Sequence, residues 1–183
     1  MRHLATVCSV SMANVLETYF ESSGSDTRQS TTYDVSTINA SESEFSGLAT
    51  LYNVWNVLRG DAIAPDASDF ATHSLAIMDS QLTISLLDVS DPNPWRFHYL
   101  RRSGAGGSNA ANSMPSDLLK DIPCPMRSRA LIRTCMKIRE TRQPAYHEIS
   151  KSNRGDVQQF MQLCLPLVTD GAVSRIILGT RKL

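Results

Sequence analysis

The sequence predicts an α+β fold in which an antiparallel sheet is covered by helices, and three observations carry that prediction. Val157 to Leu183 reads as two strands joined at Asp170-Gly171, with Met161, Leu163, Leu165 and Leu167 on alternate positions and so on one face. Asp-Gly suits a tight type I′ turn, which needs positive φ at both central residues. Leu82–Val89 and Trp95–Arg101 flank the turn sequence Asp91-Pro92-Asn93-Pro94 and read as another hairpin. Clear helical periodicity is confined to Ser43–Leu58 and Pro125–Arg142, so strands come in runs separated by helices instead of alternating with them.

Taken in order, Val10–Phe20 groups Val15, Leu16, Tyr19 and Phe20 at helical spacing and reads as a short helix or a frayed terminus. Ser22–Glu44 is rich in Ser, Thr, Asp and Asn and nearly lacks large aliphatics, which reads as a linker or mobile arm. This divides the chain into an extension, residues 1–44, partly flexible, and a domain, residues 45–183. Ser43 can cap the next helix, whose stripe of Leu48, Leu51, Tyr52, Trp55 and Leu58 is closed by Arg59 and Gly60. That stripe must pack on its own domain or on a second copy. Asp66 or Ser68 can cap a short helix through Phe70, Leu75 and Met78.

The first hairpin follows, with Phe97 and Tyr99 on one side of its second strand and His98 and Leu100 on the other. Ser103–Ser113 is a Gly- and Asn-rich loop, and Ser116–Asp121 is one helical turn. The long helix Pro125–Arg142 has an apolar side of Leu131, Ile132, Cys135, Met136 and Ile138, and Pro144 ends it. On its other side Arg129, Arg133 and Lys137 recur every four residues and read as a solvated basic face. Ala145–Ser152 is a strand, turned by Arg154-Gly155 into the closing hairpin.

Formal net charge is zero, yet residues 1–90 hold 3 basic against 11 acidic groups while residues 91–183 hold 15 against 7. Halves of opposite sign can attract within one molecule or across a dimer. The four cysteines, Cys8, Cys124, Cys135 and Cys164, lack the spacing of a disulfide framework or a zinc site, so no metal is expected and a reducing, cytoplasmic setting fits. No apolar run reaches the ~20 residues of a membrane span, and Met1–Ala13 is a poor match to a signal peptide. No catalytic signature stands out. Cys124 and His147 lack an orienting third residue, and Gly104-Ala105-Gly106-Gly107 lacks the Gly-Lys-Ser/Thr ending of a phosphate loop. The basic helix stripe has no aromatic interleaving, which disfavours nucleic acid. No enzyme is expected.

This order of elements resembles the PAS domain, and in its residues the chain is similar to a bacterial, often stand-alone PAS subgroup with a helix ahead of the fold. The resemblance rests on Leu51-Tyr52-x-x-Trp55 leading to Arg59-Gly60, Pro65-Asp66, Leu87-Asp88, and Trp95-Arg96-Phe97-His98-Tyr99. Pro144-Ala145-Tyr146-His147, Leu165-Pro166-Leu167-Val168-Thr169-Asp170-Gly171 and Leu178-Gly179 complete it, and it covers Phe45 to Leu183. The loop Arg102–Met114 is longer and looser than in that subgroup.

The resemblance implies a five-stranded antiparallel sheet with helices on one face and an extra N-terminal helix. It also implies a pocket between the long helix and the inner sheet face, lined by Leu131, Cys135 and Ile138 with Phe97, Tyr99, His147, Met161 and Leu163 opposite. The same side chains can instead simply fill a core. The ligand would be small and apolar or amphipathic. No cofactor is named. The long helix has no His for haem, and Cys124 stands in Pro-Cys-Pro and not in the Asn-Cys-Arg motif of photoactive flavin domains. The leading helix, through Leu48, Leu51, Tyr52 and Trp55, would contact a second subunit or a signalling partner, or rest on the outer face of the closing hairpin. The implied role is a sensory or regulatory module, with a ligand-free interaction or scaffold protein as the alternative.

Overall fold

The structure, a computed structural model, describes residues 15–38, 46–72, 82–103 and 117–183. The first fourteen residues with Cys8, Ser43 and Glu44, Leu75 and Met78, and most of the Gly-rich loop lie outside them. The strands are β1 (Val15–Ser23), β2 (Asp26–Tyr33), β3 (Leu82–Asp88), β4 (His98–Ser103), β5 (Ala145–Asn153), β6 (Asp156–Thr169) and β7 (Ala172–Lys182). The helices are α1 (Ser46–Arg59), α2 (Ala67–Thr72) and α3 (Pro125–Thr141). One antiparallel sheet takes all seven strands in the order β1-β2-β5-β6-β7-β3-β4.

The α+β class holds, but the expectation of five strands does not. The five expected strands lie side by side, and the β1–β2 hairpin is added at the open edge of β5. A helix at Val10–Phe20 and a linker at Ser22–Glu44 are thereby corrected for their described residues. Helical and extended spacing cannot be told apart over so few apolar residues. Here the backbone ladder and the β-branched Thr27, Thr31 and Thr32 decide, and Gly24 supplies the turn with φ of +60°. Leu16 and Phe20 stay largely exposed, so pairing and not burial makes this strand.

The closing turns follow their sequence. Asp170 and Gly171 have φ of +52° and +75°, and Arg154 and Gly155 have +48° and +89°, the two positive angles of a type I′ hairpin in each case. The start of β4 is later than expected. Asn93 Oδ1 accepts from Trp95 N–H at 3.1 Å and Pro94 opens a single 3-10 turn, which leaves Trp95 exposed. At α2, Asp66 Oδ1 accepts from both the backbone N–H and the hydroxyl of Ser68, at 2.8 and 2.7 Å, and so caps the helix.

Helices lie on both faces: the core helices do not share one face as expected, while the leading helix rests on the closing hairpin opposite the long helix, as one of the expectations had it. One face of the sheet carries Tyr146, Met161, Leu163, Leu165, Leu167 and Ile177, and α1 with α2 packs against it. The other carries Leu87, Cys164, Ile176 and Leu178, and α3 packs there through Leu131, Ile132, Cys135 and Ile138. Alternation makes this division unavoidable once the register is set: Leu163 and Cys164 must point opposite ways.

The α1 stripe docks on its own sheet. Leu48, Leu51 and Trp55 are buried, at 0, 0 and 2% exposure, which removes them as a partner surface. Each such burial stabilises by about 2 kcal/mol. Close approach is possible because β7 presents Gly179 beneath the helix: a Cβ there would lie 2.8 Å from Leu51 Cδ2. Trp55 Nε1 donates to the Pro166 carbonyl at 2.7 Å. β5 begins at Ala145, opposite Cys164, so β6 has no β5 neighbour at Pro166, and a residue without N–H is tolerated there while the indole satisfies its carbonyl. Tyr52 stacks on Trp55, and the Arg59 guanidinium lies 5.6 Å from the centre of the indole ring. Arg59 Nη1 then donates to the Ala62 carbonyl, and Gly60 turns the chain with φ of +51°.

Candidate functional site

The gap between α3 and the sheet is where most of the expected pocket residues gather. Phe97, Leu131, Cys135 and Ile138 meet there in one buried cluster with Tyr99 and Cys164. His147 also points to this side, because Tyr146 before it points to the other, where its hydroxyl donates to Glu148 Oε1 at 3.3 Å. Met161 and Leu163 do not belong: they lie on the α1 face, and their assignment to the pocket is corrected. Phe97, Leu131, Cys135 and Ile138 are at most 4% exposed and fill the space between themselves. Burial pushes the Cys135 thiol up to about 12 and raises Cys164 well above its ordinary value, so both stay protonated and act as small apolar groups.

Open space lies beside that cluster and not inside it. A cavity of about 190 Å³ runs between α3 and the strands β1, β2 and β5. Tyr19, Thr32, Ala130, Thr134, Ala145 and His147 are among its walls. The β1–β2 hairpin thus forms one side of it, which sequence reasoning missed.

The β2–β5 ladder joins the hairpin to the sheet, and charged contacts link β1 to α3 across the gap. Along β1 the alternating residues Glu17, Tyr19 and Glu21 face α3, and along α3 Arg129, Arg133 and Lys137 recur once per turn. Lys137 Nζ donates to Glu17 Oε2 at 2.6 Å, Arg133 Nη2 donates to Tyr19 Oη at 2.9 Å, and Arg129 Nε lies 3.5 Å from Glu21 Oε1. The Arg133 guanidinium also sits 3.9 Å over the Tyr19 ring. Two residues along a strand advance about 6.6 Å and four along a helix about 6 Å, so the two repeats stay in step over three rungs. The basic stripe is therefore a docking rail for β1 and not a free solvated face. Two acids of the first half, Glu17 and Glu21, meet three cations of the second half along it. The Lys137 hydrogen bond and charge hold the Glu17 carboxyl below its ordinary range.

His147 is the one strongly perturbed base of the gap. Its Nδ1 is 2.9 Å from Thr32 Oγ1 on the neighbouring strand. Its Nε2 is buried without a hydrogen-bond partner. Burial first, and then the charges of Arg28 and Lys137, push its pKa down to about 4, against a weaker pull from Glu17. The imidazole is neutral at pH 7 and forms part of the cavity wall, with its Nε2 buried and unpartnered.

No set of three or more His, Cys, Asp or Glu side chains able to hold a metal ion occurs among the described residues. Among them, no helix is long and apolar enough to cross a membrane. No family model matches this chain, and neither a curated protein nor a solved structure does.

Proposed function

We propose that this chain is a PAS-like sensory or regulatory module that holds a small amphipathic ligand between α3 and the sheet and signals through contacts with another protein or a second copy of itself. The observation that carries the reading is His147: a buried imidazole with a free Nε2 on the wall of a cavity of about 190 Å³. A buried polar atom without a partner is destabilising, and a ligand supplying that hydrogen bond removes the penalty. The five adjacent strands β3 to β7, with α3 across them, support the PAS-like part of the reading.

The route to the surface is short. The ligand would touch β1 and β2, and among the described residues β1 is the edge strand of the sheet. Occupancy that favours one placement of the hairpin against α3 therefore changes a surface that a partner can read, a population shift. The closed packing of Phe97, Leu131, Cys135 and Ile138 favours the second reading, a scaffold whose core is complete without a ligand. Native mass spectrometry of freshly purified protein separates the two. A reproducible extra mass that Ala130→Phe abolishes supports the sensor, and a bare chain mass supports the scaffold.

A further inference from the structure

The opposite end of α3 covers a second space of about 190 Å³, whose chemistry differs from that at His147. Three cations, Arg28, Arg127 and Lys151, line it, and among the described residues no carboxylate does. Its floor is apolar, with Leu131, Ile149 and Phe160. The first turn of α3, a helix of 17 residues, opens on it, and its N-cap residue Cys124 makes no side-chain cap bond. The positive end of a long helix therefore adds to the three cations.

Arg28 is the telling residue. It is half-buried on β2, and its Nε is buried with no hydrogen-bond partner. Burial and the charge of Arg127 both work against its protonated form. Glu21 stands opposite it on β1, but Glu21 Oε1 is already engaged by Arg129, Arg133 and the Tyr19 hydroxyl, and its Oε2 is buried without a partner. Three like charges drawn together around apolar side chains, with Glu21 as the acidic neighbour of Arg28 but outside the space itself, leave room there for a further negative group.

We propose that this end of the gap is a binding site for a small organic carboxylate, its carboxylate at Arg28, Arg127 and Lys151 and its apolar body over Leu131, Ile149 and Phe160. The size fits a single ring or a short chain, since a cavity of about 150 Å³ takes benzene. The site stands on its own charges and does not rest on the PAS-like reading or on the His147 cavity.

The test uses the full chain, labelled for amide NMR and titrated with benzoate and hexanoate. The neutral amides of the same shape and inorganic phosphate are the controls. The carboxylates are expected to shift signals at the start of α3 and along β5 and β6, while the amides and phosphate do not. Arg127→Gln and Lys151→Gln change side chains at the protein surface and keep the fold. Each is expected to weaken carboxylate binding by about tenfold or more, as loss of a hydrogen bond to a charged group does. Lys137→Gln, at the far end of α3, is expected to leave it unchanged. Equal binding of acid and amide overturns the proposal. So does binding indifferent to Arg127 and Lys151, or the absence of any shift at millimolar carboxylate. Phosphate binding as well as the carboxylates do overturns the role given to the apolar floor.

Discussion

Replacing Gly179 with Ala tests the docking of α1 more sharply than any change on the helix itself. The new methyl would lie 2.8 Å from Leu51 Cδ2 and 3.1 Å from Leu48 Cδ2. Carbon atoms pack at about 3.5–4.0 Å, so Leu51 must move by roughly 0.7 Å or more. Both leucines are fully buried between the helix and the sheet, so neither can swing into solvent. Overpacking of this kind costs about 1–3 kcal/mol. Alanine also narrows the unfolded ensemble, which returns about 0.4–1 kcal/mol. The net expectation is a loss of about 1–2 kcal/mol, read as a lower urea midpoint with an unchanged slope. Leu51→Ala makes the room that the methyl needs. It should therefore cost less in the Gly179→Ala background than in the wild type, by about 1 kcal/mol in a double-mutant cycle. A neutral or stabilised Gly179→Ala protein, or strict additivity with Leu51→Ala, would refute the close packing of α1 on β7.

Trp55→Phe removes the donor to the Pro166 carbonyl and leaves that oxygen buried and unpaired; a loss of about 1–3 kcal/mol in chemical denaturation is expected. For His147, the folded chain keeps the imidazole neutral down to about pH 4 while the unfolded chain protonates near 6.5, so its stabilisation is whole above pH 6.5 and is lost as pH falls towards 4. The loss reaches about 3 kcal/mol at most, and His147→Phe should flatten the melting temperature across that window. The Glu17 carboxyl is held low, so the Lys137–Glu17 contact stabilises above the ordinary carboxylate value of 4.5 and fades as pH falls through the lowered one. Both side chains are about half exposed, so Lys137→Met should cost no more than about 1 kcal/mol near neutral pH and less at high salt, measured by urea melts at two ionic strengths.

Much of the sheet was legible because its signals are local. Asp170-Gly171 and Arg154-Gly155 fix their turns within four residues, and the alternation from Met161 to Leu167 fixes a face. Which helix covers that face is not local. Leu163 and Cys164 both sit in an unbroken apolar run, and both faces of a central strand are buried, so the period carries no label for either side. The β1–β2 hairpin was illegible for the opposite reason. Its strands bury little, and the reason for their place lies more than a hundred residues away, in the repeat of Arg129, Arg133 and Lys137. The signal that could have found it is the match of Glu17, Tyr19 and Glu21 at spacing two with that basic repeat at spacing four. For the site, the register of β5 was enough to bring His147 towards α3. The open space beside it was not foreseeable, since the hairpin that walls it read as a linker.

That hairpin also sets an order of events during synthesis. β1 and β2 leave the ribosome before the elements they dock on, since β2 pairs with residues 146 to 153 and the cations that contact β1 are on α3. A lone two-stranded hairpin is marginal in water. Until β5 is made, then, these strands have no docking edge, and the exposed Leu16 and Phe20 travel with them. Long-range strand pairing of this kind folds slowly and is the stage at which chains associate wrongly. The wall of the His147 cavity is thus set in place only after β5 has been made, although its own residues are made about a hundred residues earlier.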